Sequence, residues 1–102
     1  YLEETITDYD RAIELNPDYV DAFYNRGIVK ECLGDLQGAI TDYGRAIELN
    51  PDYVDAFYNR GNAKADLGDL EGAQRDYQKA LELGPIRFGK TFTTPLRLTK
   101  FK

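Results

Sequence analysis

Carboxylates, amines and phenols are the reactive side chains this chain holds in quantity. It has 18 Asp+Glu, 13 Lys+Arg and 8 Tyr, but no His and a single cysteine, Cys32. Without His, the usual general base, proton shuttle and commonest metal ligand are all missing. One thiol makes neither an internal disulfide nor a thiolate metal cluster. Cys32 reads as a small apolar residue whose place Asp66 takes 34 residues later. No Gly-rich phosphate loop, nucleophile–base pair or metal-ligand cluster occurs, so no catalytic residue, cofactor, metal or small-molecule substrate is expected. The remaining chemistry is recognition. Tyr offers rigid amphipathic contact area, Asn offers both donor and acceptor, and carboxylates offer charge.

The charge is unevenly spread. Residues 1–85 hold 8 Lys+Arg against 18 Asp+Glu, a balance of −10. Residues 86–102 hold five bases (Arg87, Lys90, Arg97, Lys100, Lys102) and no acid, a balance of +5. A length of 102 residues allows one core and no second domain of comparable size. No apolar stretch approaches the ~18 residues that cross a bilayer, and no charged-then-apolar leader opens the chain. The expected location is cytoplasmic. The start at Tyr1, without an initiator Met, is what a fragment of a longer protein would show.

The elements that position these residues follow from an internal repeat. Residues 6–27 and 40–61 agree at 21 of 22 positions, and residues 28–51 and 62–85 agree at 13 of 24, both at an offset of 34. Within a period the helix signals come in pairs. Asn50 reads as an N-cap, with Pro51 at the first helical position and Asp52 favouring the N-terminal dipole. Phe57, Gly61, Lys64 and Leu67 then share a helical face. Gly68 supplies a left-handed C-terminal residue, Asp69 caps the next helix, and Leu70, Ala73, Tyr77, Ala80 and Leu81 line one face of it. Each period is thus two antiparallel helices of roughly 14 residues, predicted near 2–15, 17–33, 36–49, 51–67 and 70–83. Small residues at Gly27, Ala39, Ala46, Gly61, Ala73 and Ala80 allow close helix packing.

Arg26, Arg60, Lys30 and Lys64 recur in register with Asp8, Asp42 and Asp76 on the second helices. They could form a basic ligand-binding row or pair between helices, with their aliphatic stems filling apolar space. Pairing is preferred, because repeated charges of both signs satisfy a solenoid's own interfaces.

The pattern Phe23, Gly27, Ala39, Tyr43, Ala46, Pro51, repeated as Phe57, Gly61, Ala73, Tyr77, Ala80, Pro85, resembles the tetratricopeptide repeat. A leading half unit contributes Tyr9, Ala12 and Pro17. Arg26, Arg60, Lys30 and Lys64 depart from the family's usual Leu and Tyr. The resemblance implies an all-α fold, a right-handed superhelical solenoid of antiparallel helix pairs. It divides the array into 1–19 (partial repeat), 20–53 and 54–85, followed by an irregular or extended basic tail at 86–102. It further implies a protein-interaction scaffold whose first helices line a concave groove. The groove positions are then Asp21, Tyr24, Asn25, Ile28, Glu31 and Cys32, followed by Asp55, Tyr58, Asn59, Asn62, Ala65 and Asp66. Relatives that clamp acidic chaperone C-termini use Lys and Arg here. Asn25 and Asn59 match a polar clamp position, but Asp21 and Asp55 stand where a clamp Lys belongs, and Tyr24 and Tyr58 take another. A neutral or basic extended peptide therefore fits better than an acidic one.

The ends bear on partners. The first helix lacks its mate, leaving Leu2, Ile6, Tyr9 and Ile13 as an apolar stripe, and open repeat ends can stack or exchange elements. Self-association is therefore expected, with Phe88 and Phe92 as further contacts. A self-assembling structural solenoid is the alternative function. The tail could also be a nucleic-acid or membrane arm bearing Phe88, Phe92 and Phe101, an adventitious extension, or a segment docked on an acidic groove. Docking is preferred, since a body at −10 repels phosphate.

Overall fold

The sequence folds locally through two alternating turn designs, seen in a computed structural model that describes residues 1–84. Pro85 and the tail, with the expectations placed on Phe88, Phe92 and Phe101, lie outside the described residues. Five α-helices follow in order: α1 (Leu2–Leu15), α2 (Val20–Cys32), α3 (Leu36–Leu49), α4 (Val54–Asp66) and α5 (Leu70–Leu83). Consecutive helices pack on one another, giving the expected all-α solenoid of helix pairs. None of these helices is long and apolar enough to cross a membrane.

The turns inside each pair end a helix on glycine and restart it on aspartate. Gly34 and Gly68 adopt φ of +87° and +91°, a region that Cβ-bearing residues enter only at a cost. Asp35 N–H donates to the Lys30 carbonyl at 2.8 Å and Gly34 N–H to the Glu31 carbonyl at 3.0 Å, so the last carbonyls of α2 are satisfied. The Asp35 carboxylate then accepts from Gly38 N–H, and the Asp69 carboxylate from Gly72 N–H, each at 2.9 Å. The Asp69 cap is the expected one, and Asp35 repeats it 34 residues earlier.

The turns between pairs depart from expectation. Asn50 does not cap α4, and Pro51 is not its first residue; the helix begins three residues later, at Val54. Proline disfavours helical backbone in the residue before it, and Asn50 is extended at φ −138°, ψ 91°. The Asn50 carbonyl accepts from Tyr53 N–H at 3.1 Å, closing a turn over Pro51 and Asp52. Its side-chain oxygen accepts from Asp52 N–H at 3.2 Å. Asn16 repeats this geometry, so α2 starts at Val20 rather than at residue 17.

The core lies both between the pairs and within them. Phe23, Ala46 and Ala56 form one cluster, with Ile13, Val20, Tyr24, Ile47, Leu49 and Tyr53 packed around it. Ala65, Ala73 and Tyr77 form a second, flanked by Tyr58 and Leu70. A Cβ on Gly27 would stand 2.7 Å from the Tyr43 ring, and one on Gly61 2.9 Å from the Tyr77 ring, so α2–α3 and α4–α5 approach where only hydrogen fits. Leu81, expected on the inner face of α5, is 51% exposed, and Leu67 is also exposed. Ile13 belongs to the first core cluster instead of an open stripe.

Candidate peptide-binding face

Helices α3 and α5 each bury a carboxylate on the face toward the preceding first helix, and α2 and α4 supply the cations that make this tolerable. Asp42 is 2% exposed and Asp76 4%. Arg26 grips Asp42 with Nε at 2.8 Å and Nη2 at 2.7 Å, while Lys30 Nζ stands 3.2 Å away. Arg60 grips Asp76 with both contacts at 2.8 Å, and Lys64 lies at 3.1 Å. A charge taken out of water needs a close and well-hydrogen-bonded partner, and the bidentate guanidinium supplies one. Hydrogen bonding to Asp42 pushes the Arg26 guanidinium further up, against an opposing effect of burial. The basic row is thus a set of inter-helix pairs. Its extra partner was not legible: Arg26 Nη1 reaches Asp10 at 2.7 Å, whereas Asp8 lies exposed.

The same pairs organise the tyrosines. Tyr43 donates its hydroxyl to Glu31 Oε1 at 2.8 Å. Tyr77, in the same place one repeat later, donates instead to Asn62 Oδ1. Where Glu31 stood, the later repeat has Ala65, fully buried against Ala73 and Tyr77. The pair Ile28/Glu31 has become Asn62/Ala65, moving the phenol's acceptor by one turn of helix. Ala65 is thereby corrected from a groove residue to a core residue, and Glu31 and Asn62 serve the fold as well as the surface. The signal in the sequence was a pair of compensating changes within the 34-residue offset.

A second hydrogen bond ties the two first helices together. Asn59 Nδ2 donates to the Tyr24 hydroxyl oxygen at 2.8 Å, joining α4 to α2. The Tyr24 ring lies 4.7 Å from Tyr53 and 5.8 Å from Tyr43, centroid to centroid, and Tyr58 lies 5.6 Å from Tyr77. Burial pushes the Tyr24 phenol well above its ordinary value, and the nearby Asp55 carboxylate adds to this. Burial and the Glu31 carboxylate do the same for Tyr43. Both phenols are therefore neutral hydrogen-bonding groups throughout the physiological range.

The sequence-based groove residues separate by burial. Asp21, Cys32 and Asp66 are exposed; Tyr24, Asn25, Ile28, Glu31, Tyr58, Asn59 and Asn62 are half-buried; Asp55 is buried. Asp55, whose charge acts on the Tyr24 phenol, lies inside, while its counterpart Asp21 in the first turn of α2 is exposed. Among the described residues no group of three or more His, Cys, Asp or Glu is placed to hold a metal ion.

Comparison with known proteins follows this geometry. A family profile described as TPR repeat matches residues 2–31 and 33–68, and one described as tetratricopeptide repeat matches residues 54–85. No curated protein matches the sequence. A crystal structure of MamA superposes at TM-score 0.76 with 35% identity, over 76% of this chain and 46% of that one. The first TPR of Spaghetti (RPAP3), bound to the HSP90 peptide SRMEEVD, superposes at TM-score 0.79 with 27% identity, over 98% and 73%. A tetratricopeptide repeat protein from Parabacteroides merdae gives TM-score 0.77 and 26% identity, over 88% and 34%. The chain spans about half the length of the MamA structures it matches, from 43% to 51%.

Proposed function

The chain belongs to the tetratricopeptide repeat family, and from that premise we propose that it is a non-catalytic scaffold whose α2–α4 face binds an extended, neutral or basic peptide of a protein partner. The observation that carries this reading is a separation of charge. The cations of the first helices, Arg26, Lys30, Arg60 and Lys64, are committed to Asp42 and Asp76. The acids Asp21 and Asp66 on the same helices are exposed. A ligand therefore meets carboxylates, tyrosine rings and asparagine amides, a surface that favours cationic side chains and backbone hydrogen bonding.

The RPAP3 neighbour holds a peptide with more acids than bases. This chain offers that peptide no free cation at Asp21 or Asp55, so the shared fold serves a ligand of different charge. The Asn59–Tyr24 hydrogen bond fixes both side chains before a ligand arrives, which limits the ordering cost of binding.

The test is fluorescence anisotropy with a labelled, extended Lys/Arg-bearing peptide. Replacing Asp21 and Asp66 together by Asn leaves the helices folded by circular dichroism and weakens binding about tenfold or more. Undiminished binding by that variant removes the α2–α4 face from the interaction.

A further inference from the structure

Residues 6–27 and 40–61 differ at one position, where Asp10 of the first is Gly44 of the second. That difference falls beside a cluster that is otherwise duplicated. Arg26 and Arg60 are held in the same pose. Each places Nε and Nη2 on the carboxylate of the following helix, Asp42 or Asp76, at 2.7–2.8 Å. Each guanidinium carbon lies 5.6 Å from the centroid of a phenylalanine ring on its own helix, Phe23 or Phe57. Lys30 and Lys64 complete the two clusters at 3.2 and 3.1 Å. The remaining nitrogen, Nη1, tells them apart. In the first cluster it meets Asp10 Oδ1 at 2.7 Å. In the second it faces Gly44, where a Cβ would stand 3.5 Å from Arg60 Nη1.

The clusters differ in charge as a result. Arg26, Lys30, Asp42 and Asp10 sum to zero, whereas Arg60, Lys64 and Asp76 sum to +1. Among the described residues no carboxylate takes the place of Asp10 at Arg60. A guanidinium keeps its charge throughout the physiological range, so this excess does not titrate away. Nor does Arg60 turn aside to shed it, because Asp76 grips two of its nitrogens and Phe57 lies under its plane. The side chain stays 22% exposed, and Arg60 Nη1 is the only described atom outside α3 within 4 Å of a Cβ at Gly44. Gly44 thus leaves open the space that the Asp10 side chain fills one repeat earlier.

We propose that the notch over Gly44 is a seat for one carboxylate side chain, aspartate or glutamate, of a protein partner, with Arg60 Nη1 as its donor. Asp10 on Arg26 is the filled reference, and it specifies the ligand as a carboxylate oxygen in direct contact with Nη1. The seat lies between α3 and α4 and uses neither Asp21 nor Asp66, the acids that mark the peptide-binding face. One charge-assisted contact at a partly exposed site adds about tenfold to a larger interface. Alone it holds a free carboxylate only at concentrations on the order of tens of millimolar, and it does not retain an extended acidic peptide.

The probe is acetate, the smallest analogue of that side chain, exchanged for chloride at constant ionic strength so that screening does not change. The arginine Nε–H resonances of the 102-residue chain are followed by NMR. Arg60 should shift saturably, with a dissociation constant on the order of tens of millimolar. Arg26, whose Nη1 is already on Asp10, should not. Gly44→Asp supplies the carboxylate from within and should weaken acetate at Arg60 about tenfold or more. Asp10→Gly makes the reverse change and should open the same response at Arg26. The basic peptide of the preceding section should bind Gly44→Asp as it binds the parent chain, so either reading can fail alone. Equal responses at Arg26 and Arg60, or an Arg60 response undiminished in Gly44→Asp, overturn the proposal. Saturation by acetate in the micromolar range would make a free carboxylate the ligand, and overturns the assignment to a partner's side chain.

Discussion

Asp42 and Asp76 are the residues with most to lose, since each is a buried carboxylate held by one Arg and one Lys. Arg60→Leu leaves Asp76 with Lys64 alone. We expect a loss of about 2–3 kcal/mol in urea unfolding, below the full cost of orphaning a buried charge because Lys64 remains and the Arg60 side chain is 22% exposed. A loss of partner affinity at unchanged stability would instead return Arg60 to a ligand-binding row. The tyrosines make a second prediction. Their folded-state values are raised, so the folded chain keeps protons that the unfolded chain releases above the ordinary phenol value of about 10. Their contribution is complete below that pH and declines as pH rises past it, less steeply in Tyr43→Phe. The Arg–Lys–Asp pairing was legible in sequence because both signs recur at one offset. The phenol acceptors were not, because Glu31 and Asn62 do the same work from different positions.

Between neighbouring helices, stability depends on approach distance. Gly61→Ala places a methyl group 2.9 Å from the Tyr77 ring and 3.2 Å from the Ala73 carbonyl oxygen. The ring is buried and hydrogen-bonded, so it cannot swing aside cheaply, and the expected cost is about 1–3 kcal/mol by thermal or urea unfolding. The opposite sign is expected at Gly44, the one position that breaks the identity of residues 6–27 and 40–61. Its counterpart Asp10 gives Arg26 a second carboxylate, and a Cβ on Gly44 meets only the Arg60 guanidinium, at 3.5 Å. Gly44→Asp should therefore stabilise the chain by about 0.5–1 kcal/mol, through helix propensity and a partly exposed ion pair. Helix count and pairing were legible from the apolar period and from the Gly-Asp turns. The starts of α2 and α4 were not. Asn-Pro-Asp reads as a cap followed by a first turn, yet the backbone restriction before proline and the hydrogen bonds of the asparagine make it a separate turn.

Across the whole molecule, near-identical repeats meet different surroundings. The same Asp-Tyr-x-x-Ala face is buried in α3 and α5 and open in α1, and homologous Asp21 and Asp55 lie outside and inside. Sequence identity between repeats cannot show this, because burial depends on the neighbouring repeat and not on the residue. The repeated charges also part company in space: Arg26, Lys30, Arg60 and Lys64 pair with the buried Asp42 and Asp76, while Asp21 and Asp66 lie at the surface. The most direct measurement is the affinity of two extended peptides, identical except that one carries Lys/Arg where the other carries Asp/Glu, at low and at physiological ionic strength. The basic peptide should bind more tightly and lose affinity as salt rises, and the acidic peptide should show no saturable binding. Equal affinity for the two, or binding of the basic peptide that is indifferent to salt, would contradict an acidic recognition face.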